Sequence, residues 1–294
     1  MNRRTIFITG GNRGLGFASA KRLAKAGHRL IVTARDQGKA SAMASRLERD
    51  VPGSQVEVRT LELTSFASVR QLAERTLADE ERIDVLVHNA GMLFPPPERT
   101  LTEDGIETSL QVHAVAPLLL TRSLLPAMSR PSQIWGVGSS LHYPDARGPK
   151  VDLRLEDPNL DANYHPKRAY KNGKLALLWV AYEFERRVGG QGVHFNVVSP
   201  GFVPETAAAG APKTFMRFAL KSVLPHMPFA TSLDESADGL ATHYGETPLD
   251  AAGGRYFRNG EPVDSSEQSR DEAQATQFWR WACERAGIDE GIPA

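Results

Sequence analysis

The 294-residue chain has a single cysteine, Cys283, which excludes an intramolecular disulfide and a cysteine-rich metal site. It also lacks any excess of charge. Its 35 basic and 35 acidic residues cancel, leaving no electrostatic basis for a nucleic-acid partner or an acidic tail. Long hydrophobic runs are missing too. The longest, about Ala114 to Leu120, is too short and too interrupted to span a bilayer. The N-terminus runs directly into an apolar strand pattern, leaving no room for a signal peptide, so a soluble, cytoplasmic protein is expected. What is present is 41% hydrophobic residues, enough for a substantial core in one large α/β domain or two small ones.

Short β-branched runs alternate with helical spacing along the first half. Strands are expected at Arg4–Thr9, His28–Thr33, Val56–Leu61 and Ile83–Val87, with helices at Leu15–Ala26, Lys39–Arg49 and Ser65–Ala78 between them. This alternation with short loops predicts a parallel sheet covered by helices on both sides. A long helix over Asp104–Met128, a strand at Gln133–Gly138, a helix running to Arg187, a strand at Val193–Val198 and a last strand at Gly253–Phe257 follow. Ser232–Glu235 and Ser269–Glu272 both fit a capping box at the start of a late helix. No internal repeat or domain linker interrupts the chain, so a single domain over residues 1–294 is expected.

Between the first strand and helix lies Thr9-Gly10-Gly11-Asn12-Arg13-Gly14-Leu15-Gly16, a glycine-rich turn of the kind that receives a phosphate. Gly10 suits the tight turn, Gly14 a close backbone approach to a pyrophosphate, and Gly16 the packing of helix on sheet. The cofactor-binding candidates in the loop are Gly10, Asn12, Arg13, Gly14, Leu15 and Gly16. At the end of the second strand, where an NAD site carries a carboxylate, stands Ala34, followed by Arg35. With Arg13, two guanidiniums can converge on a 2′-phosphate, although Asp36 could partly neutralise Arg35. NADP(H) is the expected cofactor.

Tyr170 and Lys174 lie one helical turn apart on the same face. A free phenol titrates at about 10, and a neighbouring ammonium lowers that value, making tyrosine a usable proton donor. Ser139, ending the fifth strand in Val137-Gly-Ser-Ser140, is placed to hydrogen-bond a substrate oxygen, with Ser140 as the alternative. His142 and Tyr143 stand at the start of the stretch between Ser139 and Tyr170, which lie 31 positions apart. Its carboxylates Asp152, Glu156, Asp157 and Asp161 fit no calcium loop, so no metal is expected. After Pro200-Gly201, prolines mix with Phe202, Val203, Phe215, Met216, Phe218 and Phe229, a composition that suits an apolar substrate lid over about residues 202–231.

Taken in order, the glycine loop, His88-Asn89-Ala90-Gly91, Ser139, Tyr170-x-x-x-Lys174 and Pro200-Gly201 resemble the motifs of the short-chain dehydrogenase/reductase superfamily over nearly the whole chain. Thr33-Ala-Arg-Asp36 and Leu61–Arg70 resemble its branch of retinol dehydrogenases, WW-domain oxidoreductase-like proteins and protochlorophyllide reductase. The resemblance implies a Rossmann-type doubly wound sheet. It places Glu62 and Leu63 beside the adenine, Asn89, Ala90 and Gly91 at the adenine ribose, and Lys174 on the nicotinamide ribose. Pro200, Gly201 and Val203 lie where nicotinamide and substrate meet. His88 replaces the usual asparagine. His113 stands where the family has an asparagine that anchors a water relay, and it is either a substitute in that relay or a packing residue.

The implied activity is hydride transfer between NADPH and a carbonyl or alcohol of a bulky apolar small molecule. A protochlorophyllide-type C=C reductase is one alternative, against which Ala176 stands where that enzyme has cysteine. The other is a non-catalytic cofactor-sensing protein, which would not need both Tyr170 and Lys174. Family members often pair through the helix bearing the tyrosine, so a homo-oligomer is possible, and Trp179 and Tyr182 on that helix are either interface or core.

Overall fold

The computed structural model describes residues 3–292 apart from 80, 81, 209–219, 221, 223, 225, 226, 228 and 229. Eight described strands form one sheet: β1 (Thr5–Ile8), β2 (Arg29–Ala34), β3 (Val56–Thr60), β4 (Ile83–His88), β5 (Met128–Val137), β6 (Val193–Ser199), β7 (Tyr256–Arg258) and β8 (Glu261–Val263). Their order is β3-β2-β1-β4-β5-β6-β7-β8, and every pairing but the last is parallel. The chain starts in the middle and winds outward both ways. This leaves a crevice at the carboxyl ends of β1 and β4, the switch point where α/β sheets bind ligands.

Apolar residues alternate between two cores, as the two-residue period of a strand requires. Phe7, Ile31, Leu86 and Ile134 face one side, under α3 (Phe66–Asp79), α5 (Ala116–Leu124), α6 (Pro166–Val188) and α9 (Glu272–Ala286). Ile6, Ile8, Leu30, Val32, Val85 and Val87 face the other, under α1 (Gly14–Lys25), α2 (Gln37–Asp50) and α8 (Leu233–Glu246). The expected doubly wound α/β sheet is therefore present. None of the described helices is long and apolar enough to cross a membrane.

Several sequence expectations are corrected by side chains that cap or latch the backbone. Helix α2 starts at Gln37 rather than Lys39, because the Asp36 carboxylate accepts the Lys39 N–H at 2.9 Å. The helix expected from Asp104 begins only at α4 (Thr108–Leu110). The Asp104 carboxylate instead accepts from the Phe66 N–H and the Gln111 amide, while Glu107 caps the helix. A π turn (Gln111–Val115) joins α4 to α5, which gives way to a short 3₁₀ turn before Met128. The last helix is capped by Asp271, not Ser269, which lies in a separate 3₁₀ turn. Ser232 does cap α8, accepting from the Glu235 N–H at 3.1 Å.

Strand β8 was not expected, although its signal was available. Asn259 (φ 53°) and Gly260 (φ 82°) form the tight reversal between β7 and β8, and Asn-Gly is a strong hairpin signature. Trp179 is fully buried beneath α9: its Nε1 donates to the Gln268 carbonyl at 2.9 Å and its ring lies 5.8 Å from Phe278. Of the two readings of Trp179, the structure selects core.

The excursion from 143 to 165 is tied down on two sides. Asn172 pairs in both directions with the backbone of Asp152, and the Lys171 ammonium donates to the Ala146 carbonyl at 2.8 Å. Tyr164 donates to the Pro96 carbonyl at 2.6 Å, and Arg99 pairs with Asp161 at 2.7 Å. Asp157 accepts the amides of Asp161 and Ala162, and Asp152 pairs with Arg154, so these carboxylates serve the loop itself.

Candidate active site

The glycine loop is lashed to the sheet before it reaches any ligand. The Gly11 N–H donates to the Thr33 carbonyl at 2.9 Å and the Gly10 N–H to the Thr33 hydroxyl at 3.1 Å. Gly10 (φ 71°) takes a left-handed conformation, and a Cβ there would meet Ala90 Cα at 2.8 Å. Gly16 is required by Asn89, whose amide donates to the carbonyls of Thr9 and Gly10, both at 2.9 Å. A Cβ on Gly16 would lie 2.4 Å from that amide and from the Gly10 carbonyl. The Thr9 hydroxyl accepts the Asn89 and Ala90 N–H groups, completing the join between β1 and β4.

The loop opens α1, whose first turn has neither a side-chain cap nor an acidic residue, so its amides are disposed to receive an anion. A Cβ on Gly14 would sit 3.2 Å from the Thr206 hydroxyl, on α7 (Pro204–Ala208). That hydroxyl is buried with no hydrogen-bond partner among the described residues, as is one carboxylate oxygen of the adjacent Glu205. A cradle without Cβ atoms, beside the unpaired Thr206 hydroxyl that can donate, fits a dinucleotide diphosphate. Sequence reasoning missed Thr206 and Glu205, for which proximity to Pro200-Gly201 was the available signal.

At the ends of β2 and β3, Arg35 and Glu62 form an ion pair at 3.2 Å, with the arginine side chain 65% exposed. Asp36 is engaged by Lys39 rather than by Arg35. Leu63 is buried and its carbonyl accepts from the Gln111 amide at 3.2 Å. The Pro200 carbonyl accepts from Ser236 at 2.8 Å, Val203 is buried, and the Phe202 carbonyl accepts the Thr231 N–H at 2.9 Å. The two ends of the 202–231 segment therefore meet. Leu220 in that segment packs with Phe94 and Leu224, while Phe215, Met216, Phe218 and Phe229 lie outside the described residues.

Tyr170, Lys174 and Ser139 come together although 30 residues, 140 to 169, separate the serine from the tyrosine. The Ser139 hydroxyl lies beside the Tyr170 phenol, where it favours the charged form of that phenol. Ser139 also accepts the Leu141 N–H at 3.2 Å, whereas Ser140 is exposed. Lys174 is 5% exposed; its Nζ donates to the Val137 carbonyl at 2.7 Å and lies 5.8 Å from the Tyr170 ring centroid. Burial pushes Lys174 down to about 7. Burial also raises the Tyr170 phenol, with the Ser139 bond acting in the opposite sense. In the cofactor-free fold the net direction for the phenol is upward, set by burial.

His113 sits at the centre of the π turn, wedged between two glycines. A Cβ on Gly91 would lie 2.8 Å from its Nε2, and one on Gly173 would lie 2.9 Å from its Nδ1. Nδ1 donates to the Ser109 carbonyl at 2.9 Å and Nε2 accepts the Met92 N–H at 3.1 Å. The ring meets Tyr170 edge-on at 5.4 Å. Burial, followed by the Lys174 charge, keeps it well below the ordinary histidine range. Both nitrogens are thus engaged by backbone. His88 is likewise buried, held to about 3 by desolvation, with Nε2 2.7 Å from the Thr121 hydroxyl.

A phosphate-receiving loop beside a buried serine, tyrosine and lysine, all at the switch point of a doubly wound sheet, is the arrangement of an NAD(P)-dependent oxidoreductase. Comparison with known proteins agrees. Residues 4–139 match the family model for short chain dehydrogenase. Mouse (Mus musculus) retinol dehydrogenase 12 is 31% identical over 287 residues, covering 97% of this chain and 87% of that protein. Human (Homo sapiens) polyprenol dehydrogenase is 29% identical over 294 residues, covering 97% and 86%. Among solved structures, an uncharacterised protein from Mycobacterium Paratuberculosis superposes with a TM-score of 0.76 at 27% identity, covering 99% of this chain and 95% of that one. A blue fluorescent protein from a metagenomic library, solved in complex with NADPH, superposes with a TM-score of 0.65 at 25% identity, covering 88% and 96%. The chain belongs to the short-chain dehydrogenase family, in its retinol dehydrogenase-like branch.

Proposed function

We propose that the protein is an NADPH-dependent oxidoreductase acting between a carbonyl and an alcohol on a bulky, apolar small molecule. The observation that carries this reading is the meeting of Ser139, buried Tyr170 and buried Lys174 at the switch point of the sheet. The cofactor, when bound, supplies or takes the hydride at its nicotinamide ring. Gly10, Asn12, Arg13, Gly14, Leu15 and Gly16 would hold its diphosphate side, Glu62, Leu63, Asn89, Ala90 and Gly91 the adenosine, and Lys174, Pro200, Gly201 and Val203 the nicotinamide half. Arg13 and Arg35 would take the 2′-phosphate, and Ala34 in place of a carboxylate supports NADP(H) over NAD(H).

In the reducing direction Tyr170 gives its proton to the substrate oxygen. Ser139 is oriented to help: its oxygen accepts the Leu141 N–H, which directs its own O–H outward as a donor. Lys174 supplies positive charge next to the phenol as negative charge develops there. His113 acts as the wall that fixes Tyr170, since its nitrogens hold backbone rather than a relay. An apolar substrate is supported by the packing of Phe94 with Leu220 and Leu224 of the 202–231 segment, the proposed lid, and by relatives named for retinol and polyprenol.

The test is a panel of aldehydes, ketones and quinones with NADPH, followed as loss of the reduced-nicotinamide absorbance. Reduction of apolar members, abolished in Tyr170→Phe, is expected. No reduction of any member, or reduction that survives Tyr170→Phe, would overturn the proposal.

A further inference from the structure

His142 is a buried histidine three residues beyond Ser139, and the chemistry above leaves it unused. It is 1% exposed. Its Nδ1 lies 2.6 Å from the Ser139 carbonyl oxygen, which can only accept, so Nδ1 carries the proton and donates. Its Nε2, 3.2 Å from the Ser266 nitrogen, accepts that N–H. The imidazole is therefore a neutral bridge between the backbone of Ser139 and the segment that follows β8. Having spent both nitrogens, it has none left for a substrate.

The bridge is fixed at its far end and along its faces. Tyr143 lies over the ring at a centroid distance of 4.2 Å, and Tyr256 meets it edge-on at 4.9 Å. Tyr182 on α6 donates to the Ser265 hydroxyl at 2.7 Å, next to Ser266, and Ser265 accepts in addition from Ser269. The route from Ser139 through His142 to Ser266 thus returns to α6, the helix that carries Tyr170. The near end controls the hydroxyl: the turn Ser140–His142 that His142 closes contains the Leu141 N–H bonded to Ser139 Oγ.

We propose that His142 is a positioning residue for the reaction proposed above: by holding the Ser139 carbonyl it sets the direction of the Ser139 hydroxyl relative to Tyr170. The bond from Nδ1 to Ser139 matters most, and the bond to Ser266 steadies the ring.

Steady-state kinetics of the intact protein would test this, using NADPH and whichever of all-trans-retinal, a long-chain aldehyde or a quinone it reduces fastest. His142→Asn keeps a donor near the Nδ1 position and gives up the reach to Ser266. His142→Gln keeps that reach and gives up the donor. His142→Phe keeps a ring and loses both. The expected kcat falls about ten-fold in Gln and Phe, the rate equivalent of one hydrogen bond, and about three-fold or less in Asn, with KM for NADPH unchanged in all. Packing alone predicts the reverse order, because glutamine is nearer to histidine in volume. Should the Phe variant not fold, the Asn–Gln pair decides. Equal kcat in Asn, Gln and the unmodified chain, or Gln faster than Asn, overturns the proposal. Tyr170→Phe assayed alongside separates the two failures. An active Tyr170→Phe, or no reduction of any probe, overturns the functional reading. An inactive Tyr170→Phe with unaffected His142 variants overturns the role of His142 alone.

Discussion

Replacing Arg35 by alanine removes the charge proposed above to meet the 2′-phosphate, the only group distinguishing NADPH from NADH. In the folded protein this guanidinium is 65% exposed and paired with Glu62 at 3.2 Å. A pair that open to water contributes at most about 1 kcal/mol, so folding stability should change by no more than that. Against a 2′-phosphate the same group makes charge-assisted hydrogen bonds of about 1.5–3 kcal/mol, or roughly ten- to a hundred-fold in Kd. Titration of each dinucleotide by calorimetry should show NADPH binding weakened by that factor and NADH binding unchanged. Higher salt should shrink the unmodified protein's preference, because the phosphate contact is screened. Glu62 gives an internal control. Glu62→Gln removes the competing charge but keeps an oxygen for the Thr64 N–H, now accepted at 3.1 Å, and should tighten NADPH up to about five-fold. Equal weakening of both dinucleotides in Arg35→Ala, or no change in either, would refute the assignment of the 2′-phosphate to Arg35.

Three other outcomes follow from the same geometry. Tyr170→Phe keeps the buried ring and its edge contact with His113, so NADPH binding should persist while turnover falls by about 10²–10⁴; retention of a tenth of the turnover would exclude the proton-donor role. Gly16→Ala forces a methyl to within 2.4 Å of the Gly10 carbonyl and breaks the Asn89 latch, at a cost of about 2–4 kcal/mol; an unshifted urea midpoint would contradict it. Lys174 titrates at about 7 in the fold against an ordinary 10.5, so the unfolded chain binds its proton more readily. The stability associated with the neutral lysine is complete above the unfolded value and is lost as pH falls through about 7. Lys174→Met should therefore be more stable than the unmodified, cofactor-free protein at pH 7, on the order of a few kcal/mol less about 1 for the Val137 bond, and the advantage should vanish near pH 10.5. A difference in denaturation midpoint independent of pH would refute this.

What the sequence determined by itself was local. Runs such as Ile6-Phe7-Ile8 and Ile83–Val87 encode strands because alternate side chains must enter two cores, and the spacing of Gly10, Gly14 and Gly16 encodes a turn that excludes Cβ atoms. The four-residue step from Tyr170 to Lys174 encodes one helical face. Only the tertiary structure decided what depends on partners distant in the chain. The helix expected from Asp104 starts later because that carboxylate is taken by Phe66, 38 residues away. Ser139 lies beside Tyr170, while Ser140, next in the chain, is exposed. Both ring nitrogens of His113 are engaged because the fold brings the backbone of Ser109 and Met92 to them. The phenol rises, and Lys174 falls to about 7, because the sheet and α6 close over both groups and burial disfavours the charged form of each.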